Sequence, residues 1–262
     1  MSSSHRKRYH SAWPNLTAPL RPHPDVVSAV AAEIARRPGR ALLLGVTPEL
    51  AGIAADLVAI DRNLNMVENV WPGNSTGRHA VVGDWTNANF RDSSFAVGIG
   101  DGSLNSLRFS DEVLRVCAEL RRLLEPGGKF VCRIYVAEPT DRIADVAEAA
   151  LAGHFQNFHA FKMRLAMAIA VETAEPNVRV QVLLDTIKQL FPDRAEMVRA
   201  TGWDRAHVDT IDFYQNSTAA TSYPTQDQWR ATLAGLFSGM RLVPTGRYEL
   251  AERCPLLVAT CP

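Results

Sequence analysis

The chain carries no excess of either charge: 28 Lys and Arg stand against 28 Asp and Glu over 262 residues. Recognition of nucleic acid or of an anionic membrane by electrostatics needs a net basic field, so a small or neutral partner is favoured. Cysteine is scarce as well. Cys117, Cys132, Cys254 and Cys261 sit in or beside apolar runs, and no two have the close spacing of a zinc knuckle or a redox dithiol. Buried free thiols in a reducing cytosol are expected, with no metal site. No uninterrupted apolar run reaches the ~20 residues of a membrane span. The basic stretch His5-Arg6-Lys7-Arg8 is not followed by the apolar segment of a secretion signal, so a cytoplasmic location is expected.

What the chain does have is the 47% hydrophobic content that a buried core requires, arranged as alternating short apolar runs and helical stripes. Ala41 to Thr47, ALLLGVT, is an aliphatic run suited to a strand buried on both faces. Gly45 would let a ligand approach the backbone closely. Thr47 and Pro48 would cap a following helix over Glu49 to Ala55, whose free amides could bind an anionic group. An ordinary strand-to-helix turn would look the same. Ahead of this, Asp25 would cap a helix bearing Val26, Val27, Val30 and Ile34 on one face, ended by Pro38-Gly39. Residues 1–24 are polar and broken by proline. Their aromatics Tyr9 and Trp13 could close over a pocket as a lid and touch a substrate, or the segment could simply be loose.

Further strands are expected over Asp56 to Asp61, His79 to Trp85, Phe95 to Asp101 and Lys129 to Val136. Between the last two, Ser110 to Glu125 is a helix with Val113, Val116, Cys117, Leu120, Leu123 and Leu124 as its stripe, stopped by Pro126-Gly127-Gly128. Asp111 and Glu112 in its first turn and Arg121 and Arg122 in its last suit the helix dipole. Repeated strand, helix, strand units imply a parallel sheet covered on both faces, with ligands beyond the carboxyl ends of the strands. Those ends are chemically marked. Gly45 closes the first, Asp61 in VAIDRN the second, Asp84 in VVGDW the third and Asp101 in VGIGDGSL the fourth. A carboxylate ending the second strand is the usual partner of a ribose diol. Asp84 could accept from an exocyclic amine, with Trp85 offering a flat face to a purine. Any one of these acids could merely cap a turn; together they point to an adenosine.

LLLGVTPELA, VAIDRN, AVVGDWTNANFRDSSFAVGIGDGSLNSL and LLEPGGKFVCRIYV, in this order, resemble the core of the class I methyltransferases that use S-adenosylmethionine. The resemblance covers roughly residues 25–137, and its first motif has one glycine where the family usually has several. It implies a Rossmann-like α/β fold of seven mostly parallel strands with helices on both faces and an antiparallel last strand. It also implies that Gly45, Val46 and Thr47 line the methionyl part of the cofactor. Asp61, with Arg62 beside it, would meet the ribose, Asp84 and Trp85 the adenine, and Asp101, Gly102 and Ser103 the sulfonium and its methyl.

Beyond Val136 the pattern changes. Residues 141–237 are mostly helical in periodicity, with runs over Phe155 to Val171 and Val178 to Phe191, before strand character returns at Met240 to Leu250 and Pro255 to Thr260. Arg241 to Glu249 and Leu256 to Thr260 would supply the terminal pair of the methyltransferase sheet. A single domain over 25–262 is therefore expected, with 141–237 an insertion that builds the substrate pocket. His154, Phe155, Phe158, His159, Phe161, Met163 and Met167 crowd onto about four turns, mostly as core. His154 or His159 could serve as a base, and His159 and Tyr214, the latter in TIDFYQN, could face a substrate; these three are the catalytic candidates, and no single catalytic residue can be named. The expected activity is methyl transfer to a small-molecule acceptor by in-line displacement. Two rivals stand beside it: a protein that binds the cofactor without catalysis, and a nicotinamide-dependent oxidoreductase, whose three-glycine fingerprint the first strand lacks.

Overall fold

The computed structural model describes Ser11 and residues 13–262. The first helix, α1 (Pro24–Ile34), starts two residues earlier than a cap at Asp25 would place it. His23 is the N-cap, its Nδ1 accepting from the Asp25 amide at 3.2 Å, because Pro24 takes the first helical position, where a missing N–H costs nothing. Asp25 instead accepts from the Arg247 amide at 2.9 Å.

Five strands then run parallel: β1 (Ala41–Leu44), β2 (Leu57–Asp61), β3 (Arg78–Val82), β4 (Phe95–Asp101) and β5 (Leu124–Arg133). A short separate sheet pairs β6 (Asn177–Arg179) with β7 (Ala220–Ser222). The chain closes the main sheet with β8 (Ser238–Val243) and β9 (Leu256–Thr260), both pairings of β9 being antiparallel. The seven-stranded order is β3-β2-β1-β4-β5-β9-β8. Succession reverses between β1 and β4, so a crevice opens beyond their carboxyl ends, the place where doubly wound sheets bind ligands. This is a Rossmann-like sheet of mostly parallel strands with antiparallel last strands.

The covering layers follow from periodicity. Val26, Val30 and Ile34 of α1 join Leu43, Leu57 and Ile99 in the core on one face. On the other, α3 (Asp111–Leu123) buries Val113, Val116, Cys117, Leu120 and Leu123 against Leu42, Phe95 and Phe130. Each such aliphatic side chain withdrawn from water contributes about 1.5–3 kcal/mol. On the α1 face, α2 (Leu64–Asn69) follows β2, capped by the Asn63 side chain, and adds Met66 to that core.

Several boundaries differ from the expectation. After β1 there is only a 3-10 turn, Pro48–Leu50, and the Thr47 side chain caps nothing. The six residues left before β2, Gly52 among them, are too few and too poor to nucleate an α-helix, so no helix N-terminus stands there to hold an anion. The third strand stops at Val82, leaving Gly83, Asp84 and Trp85 in a loop. The helix ends at Leu123 because Leu124 is already extended and pairs with Phe95; the next register pair is Val97 with Lys129, so residues 125–128 bulge away from β4 while Gly127 and Gly128 bond to Cys261 on the other side. β8 stops at Val243, before Pro244, which has no N–H to donate.

Residues 141–237 form α4 (Ile143–Leu151), α5 (Phe158–Glu172), α6 (Val180–Leu190), α7 (Arg194–Thr201), α8 (Arg205–Asp209) and α9 (Gln226–Leu233), together with β6 and β7. Most of the helices share a second core in which Phe161 stacks on Trp203 with ring centroids 4.8 Å apart. Among the described residues no helix is long and apolar enough to cross a membrane.

Candidate active site

A cavity of about 420 Å³ lies beyond the carboxyl ends of β1, β2 and β4. All ten residues singled out at the strand ends line it: Gly45, Val46, Thr47, Asp61, Arg62, Asp84, Trp85, Asp101, Gly102 and Ser103.

At one end three residues meet. Gly45 has φ +97°, and a Cβ placed on it would stand 3.9 Å from the Trp85 indole and 4.0 Å from Oδ2 of Asp61. The backbone here is therefore a cradle between an acid and an aromatic plate, left open by the missing side chain. Asp61 ends β2 with its Oδ1 accepting from the Asn63 amide at 2.8 Å. Burial pushes its carboxyl up to about 6, against the pull of that amide. The Trp85 Nε1 donates to the Ile60 carbonyl at 2.7 Å. Its polar edge is thereby spent on the sheet, and the ring serves as a wall. Asp84 is exposed, and Oδ1 accepts from the Thr86 amide and hydroxyl, both at 2.7 Å. These two bonds hold its carboxyl below the usual range, helped by Arg62 and Arg115.

The middle of the cavity is built on β4. The Ser103 hydroxyl donates to the Leu44 carbonyl at 2.7 Å and accepts from the Asp101 amide, tying the ends of β1 and β4 together. Asp101 faces Arg133, the last residue of β5, in a forked pair of 2.6 and 2.9 Å, both side chains buried. Burial presses on Asp101 from one side and the guanidinium pulls from the other. Burial also opposes the charge of Arg133, but the Asp101 carboxylate overcomes it and holds the guanidinium well above its ordinary value. Asp101 is thus committed to a neighbour and is not a free base.

Two described residues ahead of α1, Trp13 and Leu20, also line the cavity. Arg21 pairs with Glu49 and lies over the Trp13 ring at 5.3 Å, and His23 stacks on Tyr248. Tyr9 lies outside the described residues.

The histidines are a correction. His159 is fully buried, its Nε2 2.8 Å from the Asn15 carbonyl, and it is absent from the cavity wall. Burial, then the charge of Lys162, drive its imidazole down to about 3. It ties the N-terminal segment to α5 and is neither a base nor a substrate contact. His154 is exposed and also away from the cavity. Tyr214 does line it.

Tyr135 and Tyr223 line it too, and sequence reasoning passed over both. Tyr135 follows the end of β5, a position that could have marked it by the same logic as the acids. Tyr223 follows β7, whose pairing with β6 joins segments more than 40 residues apart in the chain, and no local pattern announces that.

Residues 44–132 match the family described as Methyltransferase domain. No curated protein matches the sequence. Among solved structures, the chain is similar to an S-adenosylmethionine-dependent methyltransferase of Methanosarcina mazei, at 16% identity and TM-score 0.50, over 92% of this chain and 98% of that one. It is similar at 12% identity and TM-score 0.52 to a chain from the Haloferax volcanii complex with the Trm112 methyltransferase activator, over 98% and 97%. A Rhodobacter sphaeroides protein named provisionally as a Zn-dependent alcohol dehydrogenase shares the fold at 11% identity and TM-score 0.63, over 99% of both chains. Among the described residues no three His, Cys, Asp or Glu side chains gather to hold a metal ion. The fold is the one that class I methyltransferases share, residues 44–132 match a methyltransferase domain, and the protein is a methyltransferase.

Proposed function

We propose that the protein methylates a small-molecule acceptor, with the donor held along the β1–β2–β4 rim and the acceptor enclosed by residues 141–237. The observation that carries this reading is the meeting of Gly45, Asp61 and Trp85 at one end of a single cavity, with Asp101, Gly102 and Ser103 further along it. These residues fit the donor: an open backbone cradle, a buried carboxylate for vicinal hydroxyls and an indole face for a purine.

Asp61 would accept both ribose hydroxyls, and Trp85 would lie against the adenine. Gly45 to Thr47 would pass the methionyl chain, whose carboxylate must then be met by backbone amides of an irregular loop. S-adenosylmethionine supplies a methyl group on a sulfonium, which leaves as a neutral thioether when an acceptor lone pair takes the carbon. The protein's part is to align and to exclude water. Fixed geometry alone can supply roughly 7–11 kcal/mol of rate enhancement, and the Asp101–Arg133 pair and the Ser103 bridge give the middle of the cavity that fixity.

The 141–237 region contributes Val180, Tyr214, Ala219, Ala220, Thr221 and Tyr223 to the same cavity, which supports its role as the acceptor pocket. The equal numbers of acidic and basic residues favour a small acceptor over nucleic acid. Four buried free cysteines suit a reducing cytoplasm. Calorimetry with S-adenosylmethionine, its demethylated product S-adenosylhomocysteine and NADH tests the donor. Binding of the first two and not the third is expected, and NADH binding alone would overturn the reading. A labelled-methyl assay against a metabolite panel tests transfer, and retained cofactor binding with no transfer to any metabolite would favour a non-catalytic binder.

A further inference from the structure

Contacts order the cavity from one end to the other. Trp85, Asp61 and Gly45 stand together, and Ser103 reaches back to Leu44 beside Gly45. Gly102 has φ +62°, and a Cβ on it would come within 2.6 Å of the Tyr135 hydroxyl. The tyrosine is therefore seated directly against the loop that carries Asp101 and Ser103. Tyr135 in turn stacks with Tyr223 at 23° and 6.5 Å between centroids. Tyr214 lines the same cavity, its ring held by Lys162, whose Nζ lies 5.2 Å from the centroid.

The tyrosine wall is built to stay in place. Asn105, fully buried, donates from Nδ2 to the Tyr135 carbonyl at 3.0 Å and to the Ser222 carbonyl at 2.7 Å, and its Oδ1 accepts from the Tyr135 amide at 2.9 Å. One side chain thus fixes Tyr135, two residues past the end of β5, to the residue before Tyr223. The charged residues Asp61, Arg62, Asp84 and Arg115 gather at the other end, where both arginines act on Asp84, and Asp101 is closed by Arg133. Next to the tyrosines stand small or apolar residues, among them Val180, Ala219 and Ala220.

We infer that the end of the cavity formed by Tyr135, Tyr214 and Tyr223 is a binding site for a flat aromatic acceptor, seated by ring contacts beside the Asp101–Ser103 loop. Aromatic faces favour flat rings over puckered ones of equal size by offset stacking or edge-to-face contact. Two chain segments pinned by Asn105 hold that wall before the ligand arrives, so little ordering is lost on binding. This deepens the reading of the cavity as a methyl-donor site and rests on it for the identity of the neighbouring ligand.

The test compares 2-naphthol with its saturated counterpart decahydro-2-naphthol, titrated by calorimetry into the full chain with and without S-adenosylhomocysteine. The naphthol should bind about two- to tenfold more tightly than the saturated ring. Tyr223→Leu should erase that preference and leave S-adenosylhomocysteine affinity as it was, with Tyr214→Leu, on a half-buried turn, as the second variant should the first fail to fold. Equal binding of the two probes, or a preference untouched by a folded tyrosine variant, would overturn the aromatic site. Failure of S-adenosylhomocysteine to bind, with the tyrosine-dependent naphthol preference intact, would overturn the donor reading alone and still support this one.

Discussion

Arg133 ends β5 with its guanidinium forked onto the carboxylate of Asp101 at the end of neighbouring β4, at 2.6 and 2.9 Å. The two strands are held to each other at the point where the cavity begins. Removing one partner of a buried pair leaves the other as an uncompensated charge, which costs about 3–5 kcal/mol, whereas replacing both by apolar groups is often neutral. Arg133→Met should therefore lower unfolding stability by about that amount, and Asp101→Leu with Arg133→Met should recover most of the loss. Urea unfolding of the two proteins measures it. A single variant as stable as the parent would mean that the pair does not fix this rim.

Asp61 gives the site a pH dependence. Its folded value, about 6, lies above the ordinary 3.8 because burial penalises the charge. The ligand-free fold therefore loses stability as pH rises from about 4 to about 6 and is level above that. Donor binding runs the other way, since the ionised carboxylate accepts two ribose hydroxyls. Affinity for S-adenosylhomocysteine should fall up to about tenfold between pH 7 and pH 5. Asp61→Ala should cost about 1–3 kcal/mol of binding at pH 7 and flatten the profile. Calorimetry at the two pH values decides it, and an unchanged slope in the variant would remove Asp61 from the site.

Sequence reached the strand ends because their chemistry is local. β1, β2 and β4 are runs buried on both faces, and a buried parallel strand has to be followed by something that turns, so Gly45, Asp61 and Asp101 stand out by position. It did not reach what those residues touch. Nothing near Asp101 says that Arg133, 32 residues on, will neutralise it. The aromatic-rich stretch around His159 reads as a helix either way; that its imidazole bonds to the Asn15 carbonyl, 144 residues away, is a fact of packing. The 3-10 turn after β1 was hidden for a different reason. Thr47-Pro48 is a good helix start, and Gly52 together with the shortness of the path to β2 forbids the helix.

Gly45 tests the cradle directly. A methyl group there fits between Trp85 and Asp61 without a clash, at 3.9 and 4.0 Å, but it occupies ligand space and forces φ +97° on an L-residue. Gly45→Ala should cost on the order of 1–2 kcal/mol of stability through the backbone. It should weaken S-adenosylhomocysteine by more than tenfold, a loss larger than the strain alone explains. Thermal unfolding with and without ligand separates the two, since a bound ligand raises stability in proportion to its affinity. A variant whose ligand-induced shift equals that of the parent would show that the ligand does not pass over this glycine.

Lys162 on α5 is 3% exposed and has no carboxylate partner among the described residues; its Nζ lies over the rings of Phe158 and Tyr214 at 5.5 and 5.2 Å. Burial lowers its amine to about 7, against roughly 10.4 in an unfolded chain. Between those values the unfolded state binds the extra proton, so stability rises with pH from about 7 to about 10; below 7 both states are protonated and the penalty stands in full. Lys162→Met keeps the length of the side chain and removes the charge. It should be more stable than the parent near pH 7, and the parent should close that gap as pH rises to 9. The difference between the two proteins in urea at each pH isolates Lys162 from every other group, since those groups are common to both. A Met variant less stable at pH 7 would mean that the π faces of Phe158 and Tyr214 hold the ammonium better than burial penalises it.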